Sequence, residues 1–299
     1  IDVNLRENEI KTKVRTVFFE ILNLDLKIKM LQKMDSIYKL ALTKSELRFK
    51  VGESNLLELK TIELQRGSLN IQLMNALRDL QVMKYQFQFL INTQNTYNPD
   101  HSILKLSFND LKDTTLLNQH PMILRIVQQE KLYQSQLHLS KQKLLPNLML
   151  GFRDMSMLGM GANEVNYDTR SSRFRSIQVG VGLPLFFGSH KAEIEAQKLQ
   201  LKINQHDYQN QLQQMQTNLS QLTEKYLNQL NIISYYETQA LQNADTMLQS
   251  ANAQYNNGAI NYIEWMMLTH QTINVQQQYI DALLQLNELS IQLYNLNNL

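Results

Sequence analysis

Apolar residues recur every three or four positions over long stretches of the chain, the spacing that places side chains on one face of an α-helix. Two stretches keep a strict 4-3 alternation, which is typical of helices that pack side by side as coiled coils. They are Leu69, Leu73, Ala76, Leu80, Met83, Phe87 and Leu90, and Tyr208, Leu212, Met215, Leu219, Leu222 and Tyr226. Segments 1–98 and 189–299 contain no proline and only three glycines. Because these residues interrupt helices, their scarcity predicts long helices at about 1–50, 55–92, 116–143, 190–255 and 260–297.

The sequence matches itself when it is shifted by 206 positions. The shift places Phe49, Gly52, Asn55 and Glu58 on Tyr255, Gly258, Asn261 and Glu264, and it places the first apolar set on Val275, Tyr279, Ala282, Leu286, Leu289, Leu293 and Leu296. A shared helical phase together with a shared turn predicts two copies of a helix–turn–helix unit. In each copy the glycine can take the left-handed conformation that ends a helix, and the asparagine can cap the next helix.

Between the two copies, apolar side chains alternate with polar or small ones. Ile177, Val179, Val181 and Leu183 share one face of a predicted strand, and a second strand is predicted at 148–152. This alternation is typical of a strand that faces lipid on one side and a lumen on the other, with the polar stretch at 156–174 as an extracellular loop. Because a lone hairpin cannot span a membrane with open edges, oligomerisation would supply the remaining strands. The alternative is a small hairpin at the end of a soluble helical bundle.

Composition narrows the function classes. The 299 residues include 29 basic and 27 acidic ones, which does not favour a nucleic-acid partner, and no apolar run is long enough for a transmembrane helix. The chain has no cysteine, and the spacing of its six histidines does not suggest metal ligands. With no nucleotide-binding or nucleophile motif either, we predict no enzyme activity, no catalytic residue, no cofactor and no metal site. Met155, Met157 and Met160 could bind a soft cation or could face lipid.

Three local sequences identify a family. "LLPNLMLGF" enters the hairpin, "VGVGLPLFFGSHKAEIEAQ" leaves it, and "AQYNNGAINYIEWM" spans the second turn. In this order they resemble outer-membrane efflux channels of the TolC family, over essentially the whole chain. The hairpin exit is most similar to TolC-like regions associated with heavy-metal RND pumps.

The resemblance implies a mainly α-helical fold with a β-hairpin. Long coiled-coil helical hairpins in a tandem repeat would join those of two other protomers in a trimeric α-barrel tunnel, and four strands from each protomer would form a 12-stranded outer-membrane β-barrel. This chain carries one β-hairpin, and the repeat offset places the other upstream of Ile1. We therefore expect an N-terminally incomplete protomer, or the ordered part of a longer chain.

The expected organisation has four segments. They are 1–98, the first helical hairpin; 99–144, an equatorial linker and helix; 145–187, the outer-membrane β-hairpin; and 188–299, the second helical hairpin. The resemblance implies a homotrimeric exit duct, located in the outer membrane with helices in the periplasm. It would passively conduct substrates such as metal cations or drugs, delivered by an inner-membrane RND pump and a periplasmic adaptor protein. The alternative is a soluble periplasmic coiled-coil scaffold or adaptor.

The two glycine turns would form the periplasmic tips, where family members meet the adaptor. By resemblance, the docking residues are Phe49, Gly52, Glu53 and Ser54 in the first copy and Tyr255, Gly258, Ala259 and Ile260 in the second. The alternative is that these are only well-capped helical turns. By the same resemblance, Glu264 matches an acidic position that lines the aperture, and Glu58 is its equivalent in the first copy. Three copies of each would surround the aperture with carboxylates that attract cations. The alternative is a capping box, in which each glutamate bonds back to the asparagine three residues before it.

Overall fold

The computed structural model describes residues 2–95, 97–98, 100, 102–108, 115–156, 159–160, 166–167, 173–184 and 186–297. Its helices are α1 (Asp2–Lys50), α2 (Leu56–Leu90), α3 (Pro121–Gln142), α4 (Gly188–Tyr235), α5 (Leu241–Asn256) and α6 (Tyr262–Leu296). Its strands are β1 (Asn147–Ser156), β2 (Gly159–Met160), β3 (Asn166–Tyr167) and β4 (Arg173–Gly182). The predicted mainly helical fold with a small antiparallel sheet is confirmed. Most of the loop predicted at 156–174 lies outside the described residues. No described helix has the length and hydropathy needed to cross a bilayer.

The helix bounds confirm the internal repeat. Helix α1 ends at Lys50 and α5 ends at Asn256, which lies 206 positions later. Helices α2 and α6 also begin and end at positions that differ by this offset, and both contain 35 residues. The shift that aligns the sequence therefore also aligns the backbone.

The third helix begins later than predicted. Residues Thr115–Gln119 form a 3₁₀ turn, and α3 starts at Pro121. Proline suits the first position of a helix, because its fixed φ is already helical and its missing N–H needs no partner there. The Nδ1 atom of His120 accepts the backbone N–H of Met122 at 3.2 Å and satisfies one of the free donors at this helix start.

The long helix predicted at 190–255 contains a π-turn. At Tyr236–Ala240 the N–H of Leu241 donates to the carbonyl of Tyr236, five residues earlier. A π-turn widens one helical turn without ending the helix, so it needs no proline or glycine to mark it in the sequence. Within the turn, the Glu237 carboxylate accepts from Tyr279 Oη at 2.9 Å and binds Lys105 Nζ at 2.6 Å.

The described chain forms two compact units, residues 1–122 with 212–299 and residues 123–211. In the first unit α1 packs against α2 and α6, and α5 packs against α6. Trp265 is the largest fully buried side chain, and its ring contacts Tyr38 edge-on at 5.5 Å and stacks on Tyr255 at 5.1 Å. Leu69 and Ala76 of the predicted apolar set are buried, as the 4-3 spacing requires.

The second unit contains the rest of α3, the β-hairpin and the start of α4. Strands β1 and β4 pair antiparallel from Asn147↔Gly182 to Ser156↔Arg173. Both strands extend further towards their connection than the alternation predicted. Next to the hairpin, the Glu193 carboxylate of α4 accepts hydrogen bonds from Ser140 Oγ of α3 at 3.1 Å and from Lys143 Nζ, just after α3, at 2.6 Å. These bonds tie the two helices together beside the hairpin.

Candidate functional site

The two predicted turns have the same backbone geometry. Gly52 has φ +76° and Gly258 has φ +72°, both in the left-handed region that disfavours residues with a Cβ. The N–H after each glycine reaches back five residues: Glu53 donates to the Arg48 carbonyl at 2.8 Å, and Ala259 donates to the Gln254 carbonyl at 2.9 Å. This bond satisfies a free carbonyl at the helix end. A Cβ at either glycine would meet nothing within 4 Å, so conformation rather than space requires glycine.

Asparagines cap the helices that leave the turns, as predicted. Asn55 Oδ1 accepts the Glu58 N–H at 2.8 Å, and Asn261 Oδ1 accepts the Glu264 N–H at 3.0 Å. In the second copy Glu264 Oε2 also accepts the Asn261 N–H at 3.0 Å, which completes a capping box. The first copy shows only the asparagine half of this arrangement, because the side chain of Glu58 makes different contacts.

The Glu58 carboxylate is buried, with 5% of the residue exposed. One oxygen accepts from Tyr255 Oη at 2.6 Å and lies 3.5 Å from an Arg48 guanidinium nitrogen, and the other accepts from Ser54 Oγ at 2.6 Å. Burial, together with this carboxylate, raises the pKa of Tyr255. The structure thus joins the turn of the first copy to the last turn of α5 in the second. This contact was not predicted, because a repeat relates equivalent positions and does not indicate which non-equivalent ones meet.

The predicted docking residues differ in exposure. Phe49, Gly52, Glu53, Gly258 and Ala259 are exposed, Ser54 and Ile260 are partly buried, and Tyr255 is buried. Tyr255 therefore packs inside the turns, and a docking role for it stays a prediction. Beside the turns lies a cavity of about 440 Å³, whose lining includes Lys44 and Arg48. These two residues were not predicted from the sequence, since cations on the face of a long helix carry no distinguishing signal.

The two predicted aperture residues lie in different environments. Glu264 is exposed, whereas Glu58 is enclosed by its partners. Lining of an aperture by these glutamates stays a prediction, and Glu264 is the one of the two whose carboxylate reaches solvent.

One face of the β-hairpin is apolar and open to its surroundings. Three cross-strand pairs form it: Leu148↔Val181, Leu150↔Val179 and Phe152↔Ile177. All six side chains are between 61% and 83% exposed. The next pair towards the connection is Asp154↔Arg175, in which Arg175 Nε lies 3.6 Å from a carboxylate oxygen. The apolar face therefore ends at a charged border.

The opposite face of the hairpin is mixed. It carries Gly151, Gln178, Gly180 and Arg153 together with Met149, Met155 and Phe174, so polar and small side chains interrupt the apolar ones on this face. Among the residues that the structure describes, no group of three His, Cys, Asp or Glu side chains could hold a metal ion. Of the three methionines considered from the sequence, Met155 is exposed on this face and Met157 lies outside the described residues.

Comparisons with known proteins agree with this architecture. The model of the family described as "outer membrane efflux protein" matches residues 114–298. No match was found among curated proteins. Similar solved structures include the outer membrane protein VceC from Vibrio cholerae, at 15% identity and a TM-score of 0.82, covering 97% of this chain and 70% of that one. CusC, whose structures concern transmembrane channel formation, is 16% identical with a TM-score of 0.83, covering 98% of this chain and 69% of that one. The Campylobacter jejuni outer membrane channel CmeC is 15% identical with a TM-score of 0.82, covering 99% of this chain and 64% of that one.

Proposed function

The chain belongs to the outer membrane efflux protein family, and from this premise we propose that it forms part of the exit duct of a tripartite efflux system. In this proposal three protomers assemble around one axis. Their hairpins contribute to a 12-stranded outer-membrane β-barrel, and their long helices form a periplasmic tunnel. Substrates delivered by an inner-membrane pump and its adaptor pass through without further energy input. The similarity of the hairpin exit to regions associated with heavy-metal RND pumps favours a pump of that class.

The exposed apolar face of the hairpin carries this proposal. Six large apolar side chains are exposed on one face of two paired strands, whereas the other face mixes glycine, glutamine and arginine with Met149, Met155 and Phe174. Contiguous apolar surface is unfavourable in water, whereas lipid accepts it. Strands of membrane barrels alternate in this way between lipid and lumen. A soluble scaffold, the alternative considered from the sequence, offers no surroundings in which this face is stable.

Two neighbouring substitutions test the assignment of the two faces. Val179→Lys places a charge in the middle of the apolar face, and Gln178→Lys places the same charge one residue away on the opposite face. A lysine facing the centre of a bilayer costs about 2–4 kcal/mol, and one facing a lumen costs far less. In the full-length protein we expect Val179→Lys to reduce the amount assembled in outer membranes. Gln178→Lys should assemble normally and shift the ion selectivity of the channel in planar bilayers.

The outcomes separate the duct from the scaffold. Equal assembly of the two variants, or a full-length protein that stays monomeric and needs no detergent, would remove the duct proposal. A detergent-dependent trimer in which only Val179→Lys assembles poorly would support it. Trimer mass and detergent dependence can be measured by light scattering on the same preparations.

We place adaptor docking at the two glycine turns. Phe49, Glu53 and Ala259 are the predicted docking residues whose side chains reach solvent. Photo-crosslinking groups introduced at these positions should capture the adaptor in cells, whereas one at Leu64, exposed on α2 about two helical turns after its start, serves as the control. Crosslinking that is equally frequent at Leu64 would argue against docking at the turns.

A further inference from the structure

A second surface cavity of the first unit has an unusual set of side chains. It has a volume of about 470 Å³ and is lined from α6 by Met266, Met267, His270 and Asn274, and from α2 by Gln65. It contains none of the residues that line the cavity beside the glycine turns. Two thioethers and an imidazole therefore line one cavity. Neither the glycine turns nor the β-hairpin accounts for this grouping of side chains.

Helical spacing makes His270 a neighbour of each of the two methionines. His270 follows Met267 by three residues and Met266 by four, and side chains at these separations are neighbours on a helix surface. Met266 also packs against the hydrophobic core, which restricts its movement. Met267 and His270 are exposed, so a solute can reach the group. The three donors project from one regular helix, which holds such a site more firmly than a loop would.

The chemistry of the cavity selects a class of ligand. Thioether and imidazole groups are donors that soft transition-metal cations accept. Sites for hard cations such as Mg²⁺ and Ca²⁺ usually include carboxylates, and none of the described lining residues carries one; the only hard donors among these side chains are the neutral amide oxygens of Gln65, Gln271 and Asn274. Neutral donors also suit a cation of single charge, because no additional charge has to be balanced.

Asn274 provides the outer contact that a histidine ligand needs. Its amide nitrogen, Nδ2, lies 3.1 Å from His270 Nδ1. The two ends of an amide group are assigned from hydrogen bonding, so either end can occupy this position. With the amide oxygen there, Asn274 accepts the Nδ1 proton and leaves the Nε2 lone pair free for a metal. Such a contact fixes the tautomer and the ring orientation of a metal ligand.

The internal repeat shows that packing does not require these side chains. Shifting Met266, Met267 and His270 by 206 positions gives Lys60, Thr61 and Leu64, on a helix with the same bounds relative to its turn. The fold thus accepts unrelated residues at the equivalent positions. The methionine–histidine group is a property of the second copy alone.

From these observations we propose that Met266, Met267 and His270 form a binding site for a soft monovalent cation, Cu(I) or Ag(I). The site is independent of the proposed duct, because the binding can be measured whether or not the protein conducts. Ag(I) is the practical probe, since it is stable in air and resembles Cu(I) in its preference for sulfur and nitrogen donors.

The test is a titration of the full-length protein with silver nitrate in detergent and chloride-free buffer. Calorimetry gives the stoichiometry and affinity, and methyl NMR with ¹³C-labelled methionine shows which of the thirteen methionines of this segment respond. We expect one site per chain, with saturable shifts of the Met266 and Met267 methyl groups. The double variant Met267→Leu/His270→Gln should weaken binding at least about tenfold, and His270→Met should retain it.

Matched controls come from the same chain. Met74 is 64% exposed, close to the 62% of Met267, and His206 is exposed on α4. Met74→Leu and His206→Gln should leave the affinity unchanged. Shifts spread over many methionines without saturation, or equal binding by the wild type and the double variant, would overturn the proposal. The wild-type methyl map decides the question by itself if a variant folds poorly.

Discussion

Replacing Tyr255 by phenylalanine removes one hydroxyl from the buried contact between the two copies. The phenylalanine ring can remain stacked on Trp265, so the apolar packing is kept. The Glu58 carboxylate stays buried, however, and loses a donor at 2.6 Å. Hydrogen bonds to charged groups contribute about 1.5–3 kcal/mol to stability, and a buried partner left without its donor carries the desolvation cost. We therefore expect a loss of about 2 kcal/mol in the local stability of the turns.

Hydrogen–deuterium exchange measures this loss of local stability directly, because amide exchange rates depend on the free energy of local opening. A change of about 2 kcal/mol corresponds to roughly 30-fold faster exchange, at about 1.4 kcal/mol for each tenfold step. In the full-length protein, amides in the last turn of α5 and the first turn of α2 should exchange faster in Tyr255→Phe by this factor. Tyr85→Phe is the control, since Tyr85 is 63% exposed on α2 and its hydroxyl faces solvent.

A double-mutant cycle with Glu58→Gln shows whether the effect belongs to this contact. The two single changes should be strongly non-additive, because both act on the same hydrogen bond: Tyr255→Phe removes it and Glu58→Gln weakens it. Exchange less than about threefold faster in Tyr255→Phe, or equally fast in Tyr85→Phe, would refute the reasoning. Additive effects would mean that the hydroxyl stabilises the turns by some route other than Glu58.

Three further predictions concern the first unit. Gly258→Ala should lower the stability of the second turn by about 1–2 kcal/mol, since alanine disfavours φ +72°. Gly67→Ala lies in a helix with open space around it and should raise stability by about 0.5–1 kcal/mol. Hydrogen exchange measures both changes. Asn261→Ala should destabilise the start of α6 by about 1 kcal/mol and speed exchange there, because the capping box is lost. Tyr255 and Tyr279 both have raised pKa values, so the stability they contribute is full below about pH 10 and is lost as the pH rises through the raised values. Tyr255→Phe and Tyr279→Phe should each remove one late step from the phenolate absorbance titration.

The backbone of the repeat was predictable from the sequence because local rules act in the same way in both copies. A glycine after an apolar helix, followed by a capping asparagine, determines where one helix ends and the next begins. Gly52 with Asn55 and Gly258 with Asn261 satisfy these rules at the same spacing, and the helices end and begin where this pattern requires. The apolar hairpin face was equally predictable, since strand alternation depends only on a period of two.

Contacts between distant positions were not predictable in this way. Tyr255 and Glu58 are 197 residues apart, and nothing in a single sequence pairs them. The π-turn at Tyr236–Ala240 carries no glycine or proline, so the helical pattern continues across it. The cavity lined by residues of α2 and α6 depends on how the helices are arranged in the fold, whereas periodicity predicts only which face of each helix is apolar. These features follow from tertiary packing rather than from local preference.

The divergence of the two copies determines how the aperture prediction should be tested. Glu58 and Glu264 occupy equivalent positions, yet Glu58 is enclosed with Tyr255 while Glu264 is exposed and completes a cap. Removing both carboxylates would therefore change the charge and also loosen the turns, so the two causes would be mixed.

Glu264→Gln separates the two causes, because glutamine also completes a capping box and only the charge is lost. If three copies of Glu264 surround the aperture, this variant should lower the preference of the channel for cations in planar bilayers, while exchange at the turns stays as in the wild type. Glu58→Gln should show the reverse pattern, with faster exchange because the hydrogen bond from Tyr255 is weakened. Unchanged selectivity in Glu264→Gln would remove this glutamate from the aperture, since no loss of structure could then explain the result.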